Sequence, residues 1–446
     1  MTGMITSSIC AEHLAGMVRI PTVSNAELAK MDFSKFDQLH EYLRQSYPLV
    51  HRHLKLETIG EAGLLYTWKG TGESKEAPLV LIAHQDVVPE GDHALWKYPP
   101  FSGEIAEGKV WGRGTTDCKC NIMSILEAVE HLLSEGFTPG YDLYIGFGYN
   151  EEVMGGEGPA AAMIVQTLHD RGITPGCVLD ECGGVEHDTE GGKDEWSAHI
   201  VTAEKGYADF ELYVEDKGGH SSVPRKDGPM KKLAEAVLAV EANPFPYRIT
   251  ESVKAAIEAG AMGKTDEKSL LLQDVEKNWE KILPLVEEDP YLAAMFHTTN
   301  AVTMAFGSEQ ANILPQRCSV IINCRALEGD TLETIQKHFE SIVPDGVKVR
   351  LVKGGNPPKA SALYSHGYNL IASICEENHP GIKVMPGYML GGTDSRYYSD
   401  ICDNVYRFCS IESDDRWGPA HAANECIPVD TLATGPEFLV KFITRY

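Results

Sequence analysis

The sequence predicts an α/β fold in two parts. One is a domain whose mixed, mostly parallel β-sheet is covered by helices on both faces; the other is an inserted α+β domain with an antiparallel sheet and two helices. Three observations carry that expectation. At 446 residues the chain is longer than one hydrophobic core usually organises, so two domains are expected. Compact apolar runs alternate with amphipathic helical stretches up to about Thr202, the pattern of a sheet covered on both sides. Beyond Ala203 the texture changes to strands that alternate apolar and polar residues, and the α/β texture returns after Gly354-Gly355-Asn356-Pro357-Pro358.

Residues 8–47 read as helical, with a break at Pro21, and Leu54–Glu57 and Gly63–Thr67 read as short strands. Pro78–Ala83 is an apolar run that ends directly in His84-Gln85-Asp86. Cys120–Ser134 places Ile122, Ile125, Leu126, Val129, Leu132 and Leu133 at helical spacing. Tyr141–Tyr149 and Gly176–Leu179 are further buried-strand candidates, and they end in Asn150-Glu151-Glu152 and Asp180-Glu181. In the inserted part, Tyr207–Val214 and Ser319–Cys324 alternate as half-buried strands do. Asp227–Val240 and Thr331–Ile342 are amphipathic helices, Val347–Val352 is a strand, and Ser252–Phe296 is an added helical stretch. The expected boundaries are therefore 1–202 and 354–446 for the first domain and 203–353 for the insertion.

The formal net charge of −26 argues against nucleic acid and anionic membranes as partners. The apolar stretches, such as Ala77–Ala83, are too short to span a bilayer. The opening residues Met1–Ser8 lack the basic and apolar regions of a secretory leader. Eleven cysteines, an odd number spread thinly, fit reduced thiols in a cytoplasm better than a disulfide framework.

The chemistry is concentrated in a scattered set of histidines and carboxylates: His84-Gln85-Asp86, Gly114-Thr115-Thr116-Asp117, Glu151-Glu152, Asp180-Glu181 and His421. Imidazole and carboxylate together suit zinc, manganese or cobalt better than calcium or magnesium. Three of these groups sit at or just past predicted strand ends, where open α/β sheets bind ligands. Asp117, in a glycine-containing turn, is a candidate bridge between two ions. The pair Glu151-Glu152 offers one carboxylate for metal and one free to act as a general base. Asp86 is placed to support His84 from behind.

The segments His84-Gln-Asp-Val-Val-Pro, Trp111-Gly-Arg-Gly-Thr-Thr-Asp117, Glu151-Glu152-Val-Met-Gly-Gly, Gly219-His220-Ser-Ser-Val-Pro and Gly391-Gly-Thr-Asp-Ser-Arg396, with His421 followed by Asn424-Glu425, resemble the M20 family of dinuclear zinc peptidases and aminoacylases. The resemblance covers nearly the whole chain in the family's order. It is nearest the branch holding Gly-X carboxypeptidases and N-acyl-amino-acid hydrolases. It implies that His84 and Asp180 bind one ion, that Glu152 and His421 bind the other, and that Asp117 bridges them. Asp180 and Glu181 are neighbours, and either has the chemistry of a ligand; Asp180 is the expected one. It further implies Glu151 as general base and His220, on the inserted lid, as oxyanion stabiliser, in many relatives across a dimer interface. Asn312, Arg325 and the main chain of Gly391, Gly392 and Thr393 are implied at the substrate. The implied cofactor is a pair of divalent ions, zinc first, and the implied assembly is a homodimer through the lid.

Two departures stand out. Relatives commonly have Asp-Met-Lys-Gly where this chain has Asp117-Cys118-Lys119-Cys120, and the two thiols read either as buried apolar groups or as redox-sensitive neighbours of the metals. Asn356 stands where glutamate-cleaving relatives carry Arg, which argues against specificity for C-terminal glutamate. His93, His131, His187 and His366 read as surface residues, Trp96 and Phe101 as packing groups, and Arg396 as the structural partner of Asp394. The expected activity is hydrolysis of an amide bond next to a free carboxylate in a dipeptide or short peptide. The alternatives are deacylation of an N-acyl amino acid and, from a different class, a non-catalytic metal-binding protein of the same fold.

Overall fold

Two of the apolar runs, Leu79–His84 and Leu143–Gly148, lie side by side and parallel, with Leu79 opposite Leu143 and His84 opposite Gly148. Cys177–Asp180 joins the other side of the first run, and Val405–Arg407 joins Cys177–Asp180, both in parallel. The computed structural model describes residues 4–189 and 193–446. Met1, Thr2 and Gly3 of the opening segment lie outside the described residues. The chain forms two units. One runs up to Thr202 and adds Ser361–Gly387 and Thr393–Tyr446; the other comprises Ala203–Ala360 and Tyr388–Gly392.

In the first unit the four parallel strands form the centre of a mixed sheet. Gly63–Trp68 and Lys55–Ile59 extend it antiparallel on one side. Glu195–Glu204 and Gly184–Asp188 extend it antiparallel on the other. The central strands read as continuous apolar runs because both faces are covered. Leu79, Leu81, Ala83, Leu143, Ile145 and Phe147 pack into one core with Ile122, Ile125, Leu126 and Val129 of the helix Lys119–Ser134. Val80, Ile82 and Tyr144 point the other way, onto Ile164, Val165 and Leu168 of the helix Ala160–Asp170. Parallel pairing brings the carboxyl ends of Leu79–His84, Leu143–Gly148 and Cys177–Asp180 to one edge, and with them His84, Glu151-Glu152 and Glu181. A small antiparallel sheet of Glu104–Ala106, Lys109–Trp111 and Cys426–Pro428 has no counterpart in the sequence reading, since three residues per strand leave no periodicity to detect.

In the second unit Thr299–Phe306, Arg317–Ala326, Gly206–Glu215 and Lys348–Gly355 form an antiparallel sheet in that order. Ala208, Phe210, Leu212 and Val214, with Val320, Ile322 and Cys324, bury one face against the helices Pro229–Ala242 and Leu332–Ile342. The expected exit at Lys353 falls inside a strand: Lys348–Gly355 continues its pairing until Gly355 stands opposite Tyr207, and the unit runs on to Ala360. Thr299–Phe306, a further strand that the sequence expectation does not include, is an edge strand and largely exposed, with Val302, Met304 and Phe306 on alternate positions but no buried face to mark it. Residues 252–296 resolve into the helices Glu251–Ala261, Glu267–Leu272, Trp279–Glu288 and Pro290–Phe296, with Val253, Ile282, Val286 and Phe296 in a separate core. Among the described residues no helix is long and apolar enough to cross a membrane.

Candidate dinuclear metal centre

Asp117 stands at the centre of the cluster. Its Oδ1 lies 2.9 Å from His84 Nε2, and its Oδ2 lies 2.9 Å from His421 Nε2. The same His421 nitrogen is 2.9 Å from Glu152 Oε2, and His84 Nε2 is 3.3 Å from Glu181 Oε1. Two donor groups thus share one carboxylate: His84, Glu181 and Asp117 on one side, His421, Glu152 and Asp117 on the other. Donors that share an ion at about 2.0–2.2 Å stand about 2.8–3.6 Å apart at angles between a right angle and tetrahedral. All four spacings fall in that range. Glu152 Oε1 is also buried and, among the described residues, has no hydrogen-bond partner, the condition of a ligand oxygen awaiting a cation. Donor set, spacing and this orphaned oxygen all fit a pair of divalent ions.

The backbone behind the cluster explains how it is held. His84 Nδ1 donates to the carbonyl of Asp86 at 2.9 Å, which fixes the ring with Nε2 facing Asp117. The Asp86 carboxylate accepts the backbone N–H groups of Glu151 and Glu152 at 3.3 and 3.2 Å, and its Oδ1 also lies 3.6 Å from His84 Nδ1. Asp86 therefore supports His84 through its main-chain carbonyl and its nearby carboxylate, and the two glutamates through that same carboxylate. Asn150, Cys182, His421 and Asn424 all have positive φ, a left-handed conformation that non-glycine residues seldom adopt. They flank Glu151, Glu181 and the His421 loop, where such strain commonly collects.

Asp180 is the ligand expected from the sequence, whereas the candidate donor group around His84 takes in its neighbour Glu181. Asp180 belongs to the strand Cys177–Asp180, and its Oδ2 accepts the Ser395 N–H at 2.9 Å. Glu181 is the first residue past that strand, followed at once by the left-handed Cys182. Neighbouring residues at a strand end face opposite sides, and it is Glu181 whose Oε1 stands 3.3 Å from His84 Nε2.

The glutamate pair divides as its chemistry requires. Glu152 faces His421, while Glu151 is directed toward Arg396, whose Nη1 is 4.0 Å from Glu151 Oε1. Arg396 also lies 3.8 Å from Asp394. Arg396 is thus more than the structural partner of Asp394, since it faces the candidate base as well. Burial pushes the Glu151 carboxyl well above the usual carboxylate range, and His84 and Arg396 only partly offset this. Burial likewise pushes Glu181 up to about 7 and Asp394 up to about 8. Burial also opposes ionisation of Asp117, but hydrogen bonds from His421 and His84 outweigh it and hold the group below its ordinary range. Hydrogen bonds to Asp117 and Glu152 push His421 up to about 10. The cluster has more negative groups than cations to balance them, and this imbalance favours binding a divalent ion.

The Cys118 thiol is completely buried, accepts the His84 N–H at 3.2 Å and lies within the first donor group. Cys120 is also buried and directs its thiol to the Thr116 carbonyl at 3.4 Å. The remaining expected site residues lie in the second unit, except Thr393. His220 pairs with Ile313 in a short two-stranded antiparallel ladder, and the Ser221 N–H donates to the Asn312 carbonyl at 3.0 Å, so His220 and Asn312 are neighbours. His220 Nδ1 accepts the Ser222 N–H at 3.2 Å, leaving Nε2 as the donor. Arg325 lies on the four-stranded sheet over the Tyr207 ring, 4.8 Å from its centroid. Gly391 and Gly392 end the second unit, and Thr393 begins the return to the first, with its hydroxyl 2.5 Å from that of Ser395. Asn356 caps the helix Leu332–Ile342 by accepting the Leu332 N–H at 2.9 Å.

Residues 80–445 match the peptidase family M20/M25/M40. Carboxypeptidase S of Saccharomyces cerevisiae is 32% identical over 97% of this chain and 83% of its own length. The N-fatty-acyl-amino acid synthase/hydrolase PM20D1.1 of Danio rerio is 32% identical over 88% of this chain and 76% of its own. Among solved structures, the M20 family metallo-carboxypeptidase Sso-CP2 from Sulfolobus solfataricus has the same fold, with a TM-score of 0.68 at 18% identity, covering 97% of this chain and 98% of that one.

Proposed function

Because this chain belongs to the M20/M25/M40 peptidase family, we propose that it hydrolyses an amide bond next to a free carboxylate in dipeptides or short peptides. The observation that carries the reading is Asp117, whose two carboxylate oxygens each stand 2.9 Å from a different imidazole. In this reading His84 and Glu181 hold one divalent ion, His421 and Glu152 the other, and Asp117 both. Such a pair, when bound, supplies Lewis acidity to a water and to the substrate carbonyl.

The chain's own residues supply the rest. Glu151, not engaged by an imidazole, accepts the proton of the attacking water at its carboxylate and returns it to the departing amine. The Arg396 guanidinium fixes one side of Glu151, and Asp86 fixes the backbone of both glutamates. His220, with Nε2 as its donor, is the assigned stabiliser of the oxyanion. Asn312, Arg325, Gly391, Gly392 and Thr393 are assigned to the substrate, with Arg325 as the cation for its carboxylate.

The family resemblance to both kinds of relative supports a second reading, deacylation of N-acyl amino acids. It uses the same machinery and differs in the group on the acyl side. A homodimer through the second unit is part of the proposal, supported by the open edge strand Thr299–Phe306 with Met304 and Phe306 exposed. A cytoplasmic location is supported by eleven free cysteines.

The decisive experiment reconstitutes the protein with zinc, manganese or cobalt and assays dipeptides against N-acyl amino acids. Glu151→Gln is expected to keep its metal and to lose turnover by about 10²–10⁴-fold. Near-wild-type hydrolysis by that variant would remove Glu151 as the base. A metal-loaded wild type inactive on both classes would favour a non-catalytic metal-binding protein.

A further inference from the structure

Glu425 lies in the same loop as His421 and is completely buried. Its Oε1 accepts the backbone N–H groups of Gly114 and Thr116 at 2.9 Å each, the Thr116 hydroxyl at 3.0 Å and the Asp117 N–H at 3.3 Å. Its Oε2 lies 2.6 Å from Arg113 Nη1. The main chain follows the same path: the Glu425 carbonyl accepts the Gly112 N–H at 2.9 Å, and Cys426 stands opposite Trp111. Every donor comes from the turn that presents Asp117, whereas the carboxylate belongs to the loop that presents His421. The turn itself is tight. Gly114 has φ +88, and a Cβ there would stand 2.6 Å from Val87 Cγ1.

Four donors converging on one oxygen require a full negative charge, and the Arg113 guanidinium requires an acceptor on the other oxygen. A neutral amide meets only half of this. It can still accept from the turn through its oxygen, but its NH₂ group then meets the Arg113 N–H groups. A shorter aspartate keeps the charge and loses reach. Both requirements single out glutamate at this position.

We propose that Glu425 is a positioning residue that sets the distance between the bridging carboxylate Asp117 and His421, so that two segments far apart in sequence form one donor geometry. It acts through the turn's amides, not on the metal or the substrate. The inference rests on the dinuclear reading above, and its test separates the two. The metal-free full-length wild type, Glu425→Gln and Glu425→Asp are titrated with zinc and with cobalt against a chromophoric chelator, and the cobalt absorption spectrum is recorded. Wild type is expected to bind two ions; if it binds none, the dinuclear reading fails, whatever the variants do.

Given two ions in wild type, Glu425→Gln is expected to bind them about 10–100-fold more weakly, the usual effect of removing support from behind a ligand. Its cobalt spectrum is expected to shift, and Glu425→Asp is expected to fall between the two. Metal affinity within twofold of wild type, with an unchanged cobalt spectrum, overturns the proposal even if the melting temperature drops, because that pattern marks a purely structural role. If Glu425→Gln does not fold, Glu425→Asp is judged by the same criteria. If neither folds, the carboxylate is a requirement of the fold, and the positioning role is withdrawn.

Discussion

Replacing Glu181 and Asp180 in turn tests the placement of the first ion directly. Glu181 Oε1 lies 3.3 Å from His84 Nε2, a separation that suits two ligands of one ion, whereas Asp180 Oδ2 is engaged by the Ser395 N–H at 2.9 Å. Four-ligand zinc sites bind with about 10–16 kcal/mol, so one ligand is worth about 3 kcal/mol, or roughly 100-fold in affinity. Glu181→Ala is therefore expected to weaken one of the two ions by about that factor and leave the other within about threefold. Asp180→Asn keeps an oxygen for Ser395 and changes the charge only behind the ligands, so a loss below about tenfold is expected. The assay is competition titration of the metal-free protein with a chromophoric chelator, read as two separate dissociation constants. If Asp180→Asn loses an ion while Glu181→Ala keeps both, the assignment drawn from the 3.3 Å contact is wrong.

Four further outcomes are expected. Glu181 is pushed up to about 7 from 4.5 and His421 up to about 10 from 6.5. In the pH windows between these values the folded metal-free chain holds protons that the unfolded chain has released. Its stability therefore falls as pH rises, Glu181 acting between about 4.5 and 7 and His421 between about 6.5 and 10. Thermal melting of the metal-free protein from pH 5 to 9 is expected to show this slope, shallower between pH 5 and 7 in Glu181→Ala; an identical slope in that variant contradicts it. Metal affinity is expected to rise over the same range, since binding displaces these protons. Asp86→Ala removes the acceptor for the Glu151 and Glu152 amides and should weaken metal binding about 10–100-fold, with unchanged affinity by chelator competition as the contrary result. Phe210→Ala empties a fully buried position in the second unit, where its ring stands 5.6 Å from that of Phe339. It should cost about 3–5 kcal/mol in denaturant unfolding, and a loss under about 1 kcal/mol would mean the site collapses freely.

The sequence by itself determined the parallel centre of the sheet and most of the candidate ligands. Apolar runs that end in His84 and Asn150-Glu151-Glu152 are legible because a strand buried on both faces needs an uninterrupted apolar stretch, and its end is where polar chemistry can begin. The alternation of Ala208, Phe210, Leu212 and Val214 was equally legible, since a half-buried strand repeats every two residues.

Tertiary structure alone decided three things. It brought Glu181, and not Asp180, into the candidate donor group around His84, because a shift of one residue at a strand end turns a side chain to the opposite face, and nothing local sets where the strand stops. It made Thr299–Phe306 a strand, because an edge is defined by its neighbour, Arg317–Ala326, and not by its own pattern. It also gave Glu425 its partners. Those bonds join segments that only the folded sheet brings together, and a buried charge has no meaning in sequence until the donors around it are known.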